Sequence, residues 1–100
     1  MKAVWNDQII AEADKDALIY IEQRWYFPPA SVHSEFLTKS DTPYTCPWKG
    51  ACQYFNVTDG ISTSEDVAWS YPQPLPSSLD RVKKDYANYV AFYRDVEVTE

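Results

Sequence analysis

Glycine is nearly missing from this chain, with two residues in 100, and their positions leave no phosphate-cradling glycine loop. There is no Gly-x-Ser-x-Gly elbow either, and no pair of acids flanks an evident groove, so hydrolase and kinase-like chemistry have no signature here. Histidine occurs once, at His33, and cysteine twice, at Cys46 and Cys52. Two thiols do not build a disulfide framework. With no Cys-x-x-Cys, a Cys-x5-Cys pair plus one histidine is a poor zinc ligand set, so no metal and no cofactor is expected and His33 reads as a surface residue. No apolar run approaches the roughly 20 residues that a membrane span needs, and Met1-Lys2-Ala3-Val4-Trp5 enters structure without a signal-peptide core. The expectation is a soluble, cytoplasmic protein with no membrane partner, whose cysteines stay reduced. Basic residues are outnumbered, and the formal charge of −6 repels a phosphate backbone, which argues against nucleic acid as a partner. No repeat, low-complexity tract or linker divides residues 1–100, which read as one domain.

Aromatic residues are what the chain has in abundance. Four Trp, eight Tyr and four Phe outweigh the leucines, and seven Pro accompany them, the composition of short elements around an aromatic core. Lys2–Trp5, a turn at Asn6-Asp7 and Gln8–Glu12 predict a first hairpin, because Asn and Asp tolerate the positive φ of tight mirror-image turns. Leu18–Glu22 and Trp25–Phe27 predict strands ending at Pro28-Pro29. Ser31 is placed to cap a short helix through Phe36 or Leu37, and Thr38–Tyr44 reads as a polar loop. Ala51–Thr58, a turn at Asp59-Gly60 and Ile61–Trp69 predict a second hairpin, followed by an extended surface segment at Tyr71–Pro76. Ser77 opens a helix of two to three turns with Leu79, Val82 and Tyr86 on one stripe. Strands at Tyr89–Tyr93 and Val96–Thr99, bent at Arg94-Asp95, close the chain. The fold class expected is mainly β: antiparallel sheets with one or two short helices.

The rarest residues gather in Thr45-Cys46-Pro47-Trp48-Lys49-Gly50-Ala51-Cys52-Gln53-Tyr54. A thiol beside a proline-stiffened turn, three residues before an ammonium group, has the surroundings that favour a thiolate nucleophile, which makes Cys46 the candidate catalytic residue; a small buried hydrophobe at a tight turn is the plainer reading. Lys49 can anchor a carboxylate or phosphate, with its stem on Trp48, and Gly50 would let a ligand approach the backbone. Cys46 and Cys52 would stand about 20 Å apart on a straight strand, so bringing them together requires a sharp bend at Lys49-Gly50. The rings are too many to bury completely. Trp5, Phe55 and Phe92 suit the core, whereas Tyr26, Trp48, Tyr54, Trp69 and Tyr71 suit a cleft with polar groups at its rim. Glu22 is either an acid facing that site or a solvated strand end.

In these residues the chain resembles the bacterial and fungal family catalogued as domain of unknown function 427. The resemblance runs through Val4-Trp5-Asn6 with Ile10-Ala11, Tyr26-Phe27-Pro28, Thr45-Cys46-Pro47-Trp48-Lys49-Gly50 with Tyr54, Ala68-Trp69 with Tyr71-Pro72 and Pro74, and Val90-Ala91-Phe92-Tyr93. It implies a mostly antiparallel β domain of the tent-like grouping that includes zinc-binding methionine sulfoxide reductases, although the paired cysteines of those relatives are missing here. The family also carries a nucleotidyltransferase label, for which these residues hold no signature. Three functions stand side by side. The first is a binding module in which Trp48, Trp69 and Tyr71 contact a small anionic, partly planar ligand and Lys49 meets its charge. The second is an enzyme using Cys46 as nucleophile or redox centre. The third is an adaptor that holds another protein, or a second copy of itself, through Tyr71–Pro76.

Overall fold

Asn6 and Asp7 take φ of 50° and 62°, the left-handed pair that a two-residue mirror-image turn requires. The turn joins β1 (Lys2–Trp5) to β2 (Gln8–Glu12), with Trp5 opposite Gln8 and Lys2 opposite Glu12. The same geometry recurs at Glu22 and Gln23, φ 50° and 67°, between β3 (Ile19–Ile21) and β4 (Arg24–Tyr26). Those two strands are expected from sequence, but their turn is not, because neither Glu nor Gln favours positive φ. The computed structural model describes residues 1–100 and completes them with β5 (Leu37–Cys46), β6 (Gly50–Thr58), β7 (Thr63–Ser70), α1 (Pro76–Val82), β8 (Ala91–Phe92) and β9 (Glu97–Thr99). The chain is mainly β. A three-stranded sheet runs in the order β2-β1-β9, a two-stranded one pairs β3 with β4, and a four-stranded one runs β5-β6-β7-β8. No helix is long and apolar enough to cross a membrane.

Four local expectations are corrected. The Thr38–Tyr44 loop is instead part of β5, the outer strand against β6, whose register breaks between Lys39 and Pro43. The turn-forming residues there bulge from the strand, and Pro43 is tolerated because an outer strand has a side with no ladder to lose. The Asp59-Gly60 turn is a four-residue loop closed by Thr58 opposite Thr63. In it the Asp59 carboxylate accepts from the N–H groups of Ile61 at 2.9 Å and Ser62 at 2.8 Å. Ser31 caps no helix. Single 3-10 turns form at Pro29–Ser31 and Ser34–Phe36, and the Ser31 hydroxyl donates to the Pro28 carbonyl. In α1 the first residue is Pro76, whose missing N–H is free of cost there, and the helix stops at Lys83 in the left-handed region, φ 68°. Tyr86 therefore lies beyond the helix, but it folds back: its hydroxyl donates to Ser78 Oγ at 2.7 Å, and both residues are buried.

Two apolar clusters result. The larger draws Ala3 and Trp5 from β1, Ile10 and Ala11 from β2, Val57, Val67 and Ala68 from the four-stranded sheet, and Phe27, Phe92 and Val96. Phe27 meets Phe92 edge to face at 5.7 Å. Trp5 is buried as expected, and its indole N–H donates to Ser64 Oγ, which donates in turn to Asp95. The smaller cluster holds Ile19, Ile21, Tyr26, Cys46, Tyr71, Tyr86 and Ala91, with Leu79 and Val82 of α1 against it. The candidate site opens above this second cluster.

Candidate functional site

Pro47-Trp48-Lys49 forms the bend between β5 and β6, with Cys46 opposite Gly50. Gly50 has φ of 109°, where only glycine is at ease, and a Cβ there would lie 3.3 Å from the Gln73 carbonyl oxygen. What approaches this backbone is thus the proline-rich segment, not a ligand. The Leu75 N–H donates to the Lys49 carbonyl at 3.0 Å and ties the segment down.

Pinned in this way, Lys49 turns its side chain inward and is only 6% exposed. Its Nζ donates to Glu22 Oε1 at 2.5 Å and sits 5.1 Å from the ring centres of both Trp48 and Tyr71. The left-handed turn at Glu22-Gln23 brings the carboxylate to it across 27 residues of sequence. The hydrogen bond from Lys49 and its positive charge hold the Glu22 carboxyl below its ordinary value. Burial by itself would make the ammonium easier to deprotonate, but the bond to Glu22 and neighbouring charge outweigh it, and the Lys49 pKa is raised. Both partners are ionised at neutral pH.

Around this pair lies a cleft of about 330 Å³. Buried Tyr26, Tyr71 and Lys49 form its floor; half-buried Cys52, Tyr54, Trp69 and Tyr93 its walls; exposed Glu22, Arg24 and Tyr44 its rim. The walls are held edge to face. Trp69 stands 5.2 Å from Tyr93 at 82°, 6.5 Å from Tyr54 at 63° and 6.3 Å from Tyr26 at 87°. The Trp69 indole N–H donates to the Tyr26 hydroxyl at 3.0 Å, which fixes one large ring of the wall on a floor residue. Burial raises the pKa of the Tyr26 and Tyr71 hydroxyls, and it pushes the Cys52 thiol up to about 11. At neutral pH the cleft offers neutral phenols and a neutral thiol over one internal ion pair.

Of the residues singled out from sequence, the fold brings Tyr26, Lys49, Tyr54, Trp69 and Tyr71 to this cleft. Cys46 is not among the lining residues. It is 6% exposed within the smaller cluster, and the thiol that faces the cleft belongs to Cys52, opposite Tyr44 on β5. Trp48 lies outside as well, along an adjoining groove where the Arg81 guanidinium stacks 4.2 Å over its ring. Gly50 shapes the bend and lines neither. Both cysteines are free. His33 stands apart, donating from Nδ1 to the Ile9 carbonyl at 2.9 Å on the surface. Arg24, Tyr44, Cys52 and Ile21 are among the lining residues that sequence reasoning did not assign to the cleft. Arg24 is two positions before Tyr26 on β4 and so shares its face, a signal that becomes readable only once β4 is known to face the rings.

Fold and site together define a mainly β protein with an aromatic-walled cleft over a buried lysine paired to a glutamate at the rim. The family model described as domain of unknown function (DUF427) matches residues 1–100, and the chain belongs to that family. No curated protein matches the chain.

Proposed function

We propose that this protein binds a small ligand with a planar apolar face and an anionic group, and that the cleft above Lys49 and Glu22 is the binding site. The observation that carries the reading is the cleft itself: ring walls already fixed by edge-to-face contacts and by the Trp69–Tyr26 hydrogen bond, closed below by buried polar groups. Its volume sits at the lower end of the roughly 300–1,000 Å³ typical of small-molecule sites, which suits one or two fused rings and not an extended chain. Preformed walls lose little rotamer freedom on binding, so flat ligands gain contact area at low entropic cost.

The other two readings find less support. A nucleophilic role for Cys46 requires substrate to reach a thiol that is 6% exposed, and the thiol that does face the cleft is held protonated by burial. Tyr71–Pro76, the proposed adaptor segment, is engaged within the molecule: Tyr71 is buried, Leu75 is bonded to Lys49, and Gln73 abuts Gly50.

Thermal-shift screening with planar carboxylates, planar phosphates and neutral ring compounds tests the proposal. Binding at ten times Kd should raise Tm by about 5 °C or more in a domain of this size, with quenching or a spectral shift of tryptophan emission. Trp69→Leu should abolish the shift while the protein still unfolds cooperatively. If no planar compound moves the wild-type Tm at millimolar concentration, the reading fails.

A further inference from the structure

Lys49 is the residue from which sequence reasoning expects the anion contact, yet its charge is already matched by Glu22 at 2.5 Å. An anion entering the cleft would have to share that ammonium with a carboxylate in contact with it. The rim holds a cation without such a partner. The protein's ion pairs are Lys15–Glu100 and Lys49–Glu22, so no acid lies within ion-pair distance of Arg24. Its guanidinium is instead laid over the ring wall, 5.9 Å from the Trp69 ring centre and 5.6 Å from that of Tyr93. Arg94 approaches the same Tyr93 ring at 4.9 Å and adds to the local positive potential on a chain whose formal charge is −6. Attraction of its charge to the two ring faces holds the guanidinium at the wall and engages none of its N–H groups in a hydrogen bond, which leaves its planar fork free to receive a carboxylate or phosphate through two parallel hydrogen bonds. Arg24 also follows directly on the rigid left-handed turn at Glu22-Gln23, which sets where its side chain starts.

We propose that Arg24, held within cation–π distance of Trp69 and Tyr93 at the mouth of the cleft, is the specificity residue that receives the oxyanion of a planar ligand, the ring lying against the aromatic wall and the carboxylate or phosphate reaching the rim. This rests on the cleft being a ligand site. It assigns to Lys49 and Glu22 a different part, that of an internally compensated ion pair running from floor to rim, and it defines the ligand class as flat ring compounds with an oxyanion attached directly to the ring or through one atom.

Isothermal titration calorimetry with 1-naphthoate, 1-naphthyl phosphate, the neutral isostere naphthalene-1-carboxamide and inorganic phosphate tests the assignment. The wild-type protein should bind at least one naphthyl anion about tenfold or more tighter than the carboxamide, the worth of a charge-assisted hydrogen bond, and should bind inorganic phosphate more weakly than either. Arg24→Gln should bring the anions to the affinity of the carboxamide and leave the carboxamide within about twofold. Arg24→Lys should restore only part of the preference, since a point charge lacks the planar fork. Arg24 is exposed, so both variants should unfold at the wild-type midpoint. Which anion wins tells carboxylate from phosphate. An anion preference that survives in Arg24→Gln, or wild-type binding with no anion preference, overturns the role of Arg24 and leaves the cleft as a ligand site. Wild-type protein that binds none of the naphthyl compounds overturns both.

Discussion

The thiol facing the cleft is not the one the motif advertises. Cys46 sits beside Pro47 and three residues from Lys49, yet it closes the end of β5 and packs into the core, while Cys52, with no motif around it, reaches the cleft. Half-burial pushes the Cys52 thiol up to about 11, so thiolate is scarce at neutral pH. Iodoacetamide should therefore modify native Cys52 at pH 7.5 about three hundredfold more slowly than an ordinary thiol of pKa near 8.5, in proportion to thiolate, and its rate should keep rising toward pH 11. Peptide mass spectrometry after timed quenching reads this directly. Rapid modification of Cys52 at neutral pH would mean that the cleft lowers the thiol's pKa, and the thiol-based reading would regain its footing.

Among the elements, the bend between β5 and β6 depends most on one residue type. Gly50 is left-handed at φ 109° and crowded by the Gln73 carbonyl, whereas Gly60 is left-handed at φ 88° with open space around it. Substitution by alanine separates backbone strain from collision. Gly60→Ala should cost about 1 kcal/mol from strain alone, and Gly50→Ala about 2–3 kcal/mol, because the proline-rich segment must also shift. Chemical denaturation measures both. Equal losses would show that Gln73 yields freely and that the segment does not brace the bend. The loss at Gly50 should extend to ligand affinity, since the same bend carries Lys49 into the cleft floor.

Across the whole molecule, stability against pH follows from which carboxylates are held down in the fold. Glu22, through its bond from Lys49, Asp59, through the N–H groups of Ser62 and Ile61, and Asp66, through Ser40 and Thr42, all have lowered pKa values. Each contributes stability above its unfolded value, 4.5 for Glu22 and 3.8 for the aspartates, and loses it as pH falls through the lower folded value. Lys49 has the opposite sign: raised above 10.5, it contributes fully below that value and loses its contribution as pH climbs through the folded one. The Cys52 thiol and the phenols of Tyr26, Tyr54, Tyr71 and Tyr86, all raised by burial, act in the same direction and lose stability as pH climbs past their unfolded values, 9.0 for the thiol and 10.0 for the phenols. Urea midpoints should therefore be flat across the neutral range, fall below about pH 4.5 and fall again from about pH 9 upward. Glu22→Gln should lower the plateau by about 1–2 kcal/mol, less than for a fully buried pair because the carboxylate side is half-exposed, and should make the acid limb shallower. A plateau unchanged by Glu22→Gln would mean that the pair contributes nothing net to stability.

Alternation, turn chemistry and aromatic excess determine a good part of this protein from sequence alone. They yield the Asn6-Asp7 hairpin, the pairing of β6 with β7, and the burial of Trp5 and Phe92, while the motif residues carry the resemblance to a family whose model spans the chain. They also select four ring side chains of the cleft, because rings in excess of what a small core can hold must line something, and the central motif adds Lys49. What they miss depends on partners distant in the chain. Ser40, Asp41 and Thr42 look like a loop until β6 offers a ladder on one side only, which turns their flexibility into a bulge. Glu22 and Gln23 carry no turn signature, and Lys49 no sign of its counter-ion, until the two segments meet. A strand's sequence says which residues share a face, but the fold decides what that face meets. For that reason only the tertiary structure decided between the two readings of Cys46 in favour of the buried one, brought Cys52 and Arg24 to the cleft, and cancelled the charge on Lys49.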